Sequence, residues 1–128
     1  MMRSETMSNT VMVVDDSSSF RTVVTLALKR VGYGVVEASD GRDAVRKLDA
    51  QPIDLIVCDV NMPEMDGISF VRHVRGTVKH RRTPVIMLTT ETSDAKKQAG
   101  RDVGANAWIT KPFQPSKLVE MVGNYFKG

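Results

Sequence analysis

The sequence predicts an α/β domain, a five-stranded parallel sheet with helices on both faces. Three observations predict it. Short apolar runs rich in Val and Ile alternate with segments of helical periodicity, five times over 128 residues. The apolar runs are continuous, the pattern of strands buried on both faces of a parallel sheet. A chain of this length buries one sizeable core and has no need to divide into domains.

Residues 1–9 are polar and Met-rich and are expected to form a flexible tail ahead of a domain spanning 10–128. Strands are expected at 11–15, 34–37, 54–59, 84–89 and 107–110. The first helix is read from Phe20, Val23, Ala27 and Val31 at helical spacing, with Ser17 to Ser19 available as caps. Gly41 to Leu48 reads as a second helix, Ile68 to Arg75 as a third, and Asp94 to Val103 as a polar fourth. The last runs from about Pro115 to Phe126, with Leu118, Met121, Val122 and Tyr125 on one stripe. No repeat or linker to a second domain is visible, and no attached output module is expected.

Composition narrows the function. Hydrophobic residues at 41% and charged residues at 26% are ordinary for a globular domain. No apolar run approaches the roughly 18 residues of a membrane span, and the first residues lack the hydrophobic centre of a signal peptide. Cys58 is the only cysteine, so an internal disulfide is impossible and a cytoplasmic location is expected. The net charge of +3 suits an acidic partner without indicating nucleic acid. The densest basic stretch, Lys79-His80-Arg81-Arg82, lacks a recognition helix or interleaved aromatics and reads as a solvated loop. His73 and His80 have no partners at metal-ligand spacing and read as surface or helix-flank residues.

The chemistry is at the strand ends, where open parallel sheets bind ligands at the topological switch point. Strand one delivers Asp15 and Asp16, strand three Asp59, strand four Thr89 and Thr90, and strand five Lys111. Two carboxylates about 5 Å apart repel by roughly 3 kcal/mol at an effective dielectric near 20, so three call for a cation. Hard oxygen ligands fit Mg²⁺, which takes a carboxylate or two and leaves room for water and phosphate. A hydroxyl and an ammonium nearby would hold phosphoryl oxygens. Each piece alone has a plain structural reading. Asp15-Asp16-Ser17 could cap a helix, Asn61 to Gly67 could be a turn, Thr89 an ordinary strand residue, and Lys111-Pro112 a loop exit. No folding requirement links them, and their coincidence at successive strand ends is the signal.

In combination, Val-Val-Asp15-Asp16-Ser, Cys-Asp59-Val-Asn-Met-Pro-Glu-Met-Asp-Gly, Pro-Val-Ile-Met-Leu-Thr89 and Lys111-Pro-Phe resemble the receiver domain of bacterial two-component response regulators. The resemblance covers about residues 10 to 126 and is closest to the stand-alone, CheY-like chemotaxis type. It implies the flavodoxin-like (βα)5 fold with strand order 2-1-3-4-5. It makes Asp59 the phosphoacceptor and Asp16 a direct metal ligand, with Asp15 acting mainly through a metal-bound water. Asp59 and the backbone carbonyl of Asn61 would complete the protein's share of a Mg²⁺ (or Mn²⁺) shell. Thr89 would hydrogen-bond the phosphoryl group, Lys111 would pair with it, and the Lys111-Pro112 bond would be cis. Asn61 and Glu91 would flank the water that removes the phosphoryl group and so tune its lifetime; a cap for the fourth helix is the plainer reading of Glu91.

The same resemblance makes Trp108 the aromatic of the output switch, with Thr90 bordering the space it needs. The family usually has Tyr or Phe there, so the larger indole is a departure that questions a full inward swing. Lys96, Lys97, Arg101, Trp108 and Lys117 are candidates for a signalling face on helix four, strand five and helix five. The implied activity is self-directed, phosphotransfer onto the chain and its hydrolysis, with no enzyme turnover of other substrates. A sensor histidine kinase is the implied donor, and a flagellar motor switch protein or a phosphatase the implied partner. A monomer is expected, without direct DNA binding. A phosphorelay intermediate or phosphate sink is the alternative within this mechanism. A haloacid-dehalogenase-type phosphohydrolase would need a second Asp where Asn61 stands, and a flavodoxin-like FMN carrier would hold its phosphate beside two repelling aspartates.

Overall fold

Alternation within each strand sorts the core into two layers. The structure, a computed structural model, describes residues 9–126, so the tail expected over 1–9 lies, except for Asn9, outside the described residues. The elements are β1 (Thr10–Val14), α1 (Ser18–Arg30), β2 (Gly34–Ala38), α2 (Gly41–Ala50), β3 (Leu55–Cys58), α3 (Gly67–Gly76), a 3₁₀ turn (Val78–His80), β4 (Val85–Thr89), α4 (Asp94–Asp102), β5 (Ala107–Thr110) and α5 (Pro115–Phe126). Val11, Val13, Leu55, Val57, Ile86 and Leu88 face Val24 and Leu28 of α1 and Leu118 and Val122 of α5. Met12, Val14, Ile56, Cys58, Val85 and Met87 face Ala44 and Leu48 of α2 and Phe70, Val71 and Val74 of α3. Period-two side-chain direction puts odd and even neighbours on opposite faces, and helices cover both.

All four strand pairings are parallel, and the order is β2-β1-β3-β4-β5. The chain therefore reverses its direction of winding at β1, which pairs with β2 on one side and β3 on the other. A crevice opens above the carboxyl ends of β1 and β3, the place where a ligand fits in such sheets. Among the described residues, no helix is long and apolar enough to cross a membrane.

Two expectations about packing change. The buried stripe of α1 is Val24, Thr25 and Leu28, whereas Val23 and Val31 are about half exposed, at 49% and 54%. Val31 caps the helix end instead of packing beneath it, and the apolar residues of α1 are spread over more than one face, so spacing alone could not choose the stripe. His80, read as a surface or helix-flank residue, does flank α3 but is buried, at 3% exposure. The 3₁₀ turn folds it inward, where its Nδ1 lies 3.1 Å from the Thr83 hydroxyl, and burial holds its imidazolium below the ordinary pKa.

Candidate functional site

The carboxylates converge because β1 and β3 are in register and end level. Val14 pairs with Cys58, so Asp15 and Asp59 leave adjacent strands side by side, and the Asp59 N–H donates to the Val14 carbonyl at 3.0 Å. One carboxylate oxygen each from Asp15, Asp16 and Asp59 lies within 4.8 Å of the others. Asp15 and Asp59 are buried and Asp16 is exposed, so the cluster has a wet side and a dry side. Neither aspartate of the pair caps α1. Ser17 does so, its hydroxyl accepting the Phe20 N–H at 3.2 Å, while its own N–H donates to Asp15 Oδ1 at 2.9 Å.

Lys111 reaches the cluster from the end of β5. Its Nζ lies 2.8 Å from Asp15 Oδ2 and 3.5 Å from Asp59 Oδ2, with 14% of its side chain exposed. Its backbone N–H donates to the Thr89 carbonyl at 2.8 Å, which extends the β4–β5 pairing by one residue, and the Lys111-Pro112 bond is cis. The ammonium also sits 3.7 Å from the centroid of the Phe20 ring, which itself packs against Phe113. Phe20 thus confines Lys111 by cation–π attraction on one side while the carboxylates draw it from the other.

One ammonium does not balance three carboxylates. The cluster has two formal negative charges left, and oxygens this close suit a hard divalent cation. The donor set therefore fits Mg²⁺ on its own chemistry. Cys58, one residue before Asp59, is no competing ligand or nucleophile: burial first, and then the nearby Asp59 and Asp15 carboxylates, push its thiol pKa well up.

Thr89 is fully buried at the end of β4, and its hydroxyl oxygen accepts the Glu91 N–H at 3.1 Å. Thr90, next to it, is exposed. The Glu91 carboxylate accepts from the Ser93 N–H at 3.2 Å and, at the limit of a hydrogen bond, from the Asn61 amide at 3.5 Å. Those bonds, led by the one from Ser93, hold its pKa below the ordinary value. The N-cap of α4 is Ser93, so Glu91 supports the cap without being it. Asn61 is exposed beside the crevice, and its N–H points at Asp59 Oδ1 from 3.4 Å.

Trp108 is half-buried, and its indole N–H donates to the Glu91 carbonyl at 3.2 Å. The indole fits because α4 has a glycine beneath it: a Cβ on Gly100 would lie 2.9 Å from Cζ3 of the ring. The ring separates two grooves. One, of about 230 Å³, includes Lys97 and Arg101; the other, of about 410 Å³, includes Lys117, Glu120 and Met121. Lys96 is exposed on α4 and lines neither groove as described.

Three residues of the site were read only structurally in the sequence or passed over. Gly67 reads as turn punctuation, yet a Cβ there would fall 2.0 Å from the Asp59 carbonyl oxygen. Asp66 caps α3 through the Ser69 N–H at 2.8 Å, so the loop after Asp59 is closed by a helix start against its own backbone. Phe20 reads as core, and its contact with Lys111 depends on a residue 91 positions away in the chain. The Met-Pro-x-Met-Asp-Gly spacing was the available signal for Gly67; nothing local signalled Phe20.

A parallel sheet with an acidic cluster at its switch point and a lysine bridging two of the acids defines a receiver-type signalling domain. Residues 11–123 match the response regulator receiver domain family, and the chain belongs to it. It is 41% identical over 111 residues to the chemotaxis protein CheY1 of Helicobacter pylori, covering 85% of this chain and 90% of that protein. It superposes on the chemotaxis protein CheY4 of Vibrio cholerae with a TM-score of 0.88 at 45% identity, covering 92% of this chain and 98% of the other. It is also 38% identical over 112 residues to the alkaline phosphatase synthesis transcriptional regulatory protein PhoP of Bacillus subtilis, covering 88% of this chain. The chain spans 46% of the length of that relative.

Proposed function

We propose that this protein is a phosphorylation-controlled binding module whose phosphoacceptor is Asp59. The observation that carries the reading is Lys111, whose single ammonium touches both Asp15 and Asp59 and leaves the acidic cluster short of positive charge. The donor is a phosphohistidine of a sensor histidine kinase. An Asp59 oxygen bonds to phosphorus in line as the P–N bond breaks; the imidazole leaves with the electron pair and takes up a proton. Asp15, Asp16, Asp59 and the backbone carbonyl of Asn61 would hold Mg²⁺ (or Mn²⁺), which would supply charge neutralisation on the transferred group. Lys111 moves its contact from carboxylate to phosphoryl oxygen, and the Thr89 hydroxyl donates to another.

Hydrolysis ends the signal: water attacks phosphorus between Asn61 and Glu91, and the Asp59 carboxylate is regenerated as orthophosphate leaves. Turning the Thr89 side chain toward a phosphoryl group would move the oxygen that accepts the Glu91 N–H, and the Glu91 carbonyl accepts the Trp108 indole N–H. That chain of contacts links the crevice to the grooves beside Trp108, the α4-β5-α5 face that a partner would read. Similarity to two chemotaxis proteins along almost their whole lengths favours a cytoplasmic role in chemotaxis, with a flagellar motor switch protein or a phosphatase as partner. In this reading the protein works as a monomer and touches neither membrane nor DNA directly. A phosphorelay intermediate or phosphate sink is the competing assignment.

Pull-down with and without beryllofluoride and Mg²⁺, using Asp59→Asn as control, tests the partner. Capture of a motor-switch protein only in the presence of beryllofluoride supports the chemotaxis assignment. Capture of a histidine phosphotransfer protein in its place would move the protein into a relay.

A further inference from the structure

Asp16 poses a problem that its own side chain does not answer. It is exposed, its carboxylate has no hydrogen bond among those described, and it still lies within 4.8 Å of the Asp15 and Asp59 oxygens against their repulsion. Asp15, in contrast, is held at four points. Its N–H donates to the Ala38 carbonyl at 3.1 Å and its Oδ1 accepts from Ser17 at 2.9 Å. Its Oδ2 accepts from Lys111 at 2.8 Å, and its backbone carbonyl accepts from Arg21 Nη1 at 2.6 Å.

The last of these bonds reaches Asp16. The Asp15 carbonyl and the Asp16 nitrogen belong to one planar peptide unit, so fixing that carbonyl fixes the plane from which the Asp16 side chain departs. Arg21 is itself fixed. Its Nε donates to Glu37 Oε1 at 3.1 Å, with 16% of the arginine side chain exposed, and the Glu37 backbone carbonyl accepts from Lys47 Nζ at 2.6 Å. Arg21 therefore stands between the end of β2 and the peptide that joins the two aspartates, braced by α2 through Lys47.

We infer that Arg21, braced by Glu37, is a positioning residue for the metal carboxylates, holding the Asp15–Asp16 peptide in the orientation that closes the three-oxygen cluster. This rests on the reading of the cluster as a divalent-cation site. The fork of a guanidinium is what allows one side chain to serve a carbonyl and a carboxylate in two directions; an ammonium offers no such rigid fork.

Charge and positioning pull metal affinity in opposite directions at Arg21. Removing a cation close to an acidic metal site should tighten metal binding through charge alone. Positioning demands the reverse. Mn²⁺ titration followed by the electron paramagnetic resonance signal of the free ion, well below the melting temperature, separates the two on the full chain. Arg21→Met and Arg21→Lys are each expected to weaken Mn²⁺ binding by about tenfold or more, the usual scale for residues that orient metal ligands. Arg21→Lys keeps the charge and so isolates geometry; it also carries the test if Arg21→Met fails to fold. Unchanged or tighter binding in folded Arg21→Lys overturns the inference, even if its melting temperature falls. Asp16→Asn in the same titration locates the ion. Mn²⁺ affinity that does not depend on Asp16 in the wild-type chain would contradict the cation-site reading itself, and the inference with it.

Discussion

The two ends of the sheet each hold a half-buried cation, and the two are used in opposite ways. At the amino end, Arg75 of α3 donates through Nε and Nη2 to the Gly104 carbonyl, through Nη1 to the Thr83 and His80 carbonyls, and through Nη2 to Asn106 Oδ1. Asn106 Oδ1 in turn accepts the Val85 N–H at 2.9 Å, so the guanidinium joins the α3–β4 and α4–β5 connections and the start of β4. Its partners are neutral and tied to the backbone. At the carboxyl end, Lys111 has two carboxylates and an aromatic face, partners that a metal ion or a phosphoryl group can outbid. A saturated cation holds a fold together, and an under-shared one leaves the fold able to respond. The cleft of about 560 Å³ at the amino end is lined by Lys79, Arg81 and Arg82 and by one carboxylate, Asp54, which accepts the Thr10 N–H at 2.7 Å, so no two carboxylates compete there.

The largest effects should separate these ends. Arg75→Met strands the Gly104 and Thr83 carbonyls, at about 1–3 kcal/mol for each group left without a partner, while Asn106 Oδ1 keeps the Val85 N–H. Denaturant unfolding should show a loss of at least 2 kcal/mol on that basis, while Mg²⁺-dependent phosphorylation per folded molecule stays at the wild-type level. A parallel loss of phosphorylation would break the contrast. Lys111→Met should also destabilise the metal-free protein, because Asp15 and Asp59 lose their counter-charge. Here Mg²⁺ should restore stability, and by more than it stabilises wild type, because the competing ammonium is gone. Melting with and without Mg²⁺ reads this directly; equal metal stabilisation in both proteins would remove Lys111 from the site.

Gly67→Ala comes next. The overlap with the Asp59 carbonyl must be relieved by moving backbone, a change that typically costs about 1–3 kcal/mol, and the shift should slow phosphotransfer as well. Gly100→Ala presses on the Trp108 ring, and because Trp108 is the only tryptophan, its emission reports the displacement. Unaltered emission would mean that the ring is not confined by α4. The smallest effect belongs to Glu91, which is accessible to solvent. Its folded pKa lies below its ordinary 4.5, so its contribution to stability is present above that value and disappears as pH falls through the folded pKa. Wild type and Glu91→Gln should therefore differ slightly at neutral pH and converge in acid; a difference that widens in acid would reverse the sign.

The parts legible in the sequence are those encoded by local pattern. Short Val- and Ile-rich runs located all five strands; β1, β3 and β4 are buried on both faces and leave no alternation to misread, while the edge strands β2 and β5 are partly exposed. Asp15, Asp16, Asp59, Thr89 and Lys111 stood out because each ends such a run. What sequence could not supply were contacts made across the fold. Phe20 meets Lys111, Arg21 meets Glu37 and the Asp15 carbonyl, and Gly100 makes room for Trp108, all without local spacing to betray them. The inward turn of His80 depends on Thr83 and on a pocket closed by neighbouring elements. The buried stripe of α1 depends on which of its apolar residues meets the sheet, a choice made by packing.

In the proposed function, the carboxyl end of the sheet takes a phosphoryl group on Asp59. Incubation with a phosphorylated histidine kinase domain, followed by intact mass and peptide mapping, tests it most directly. A single added phosphoryl group on Asp59 is expected, one that requires Mg²⁺ or Mn²⁺, is lost when hydroxylamine cleaves the acyl phosphate, and is absent from Asp59→Asn. Transfer that proceeds at the same site in Asp59→Asn, or at full rate with the divalent cations chelated, would contradict it.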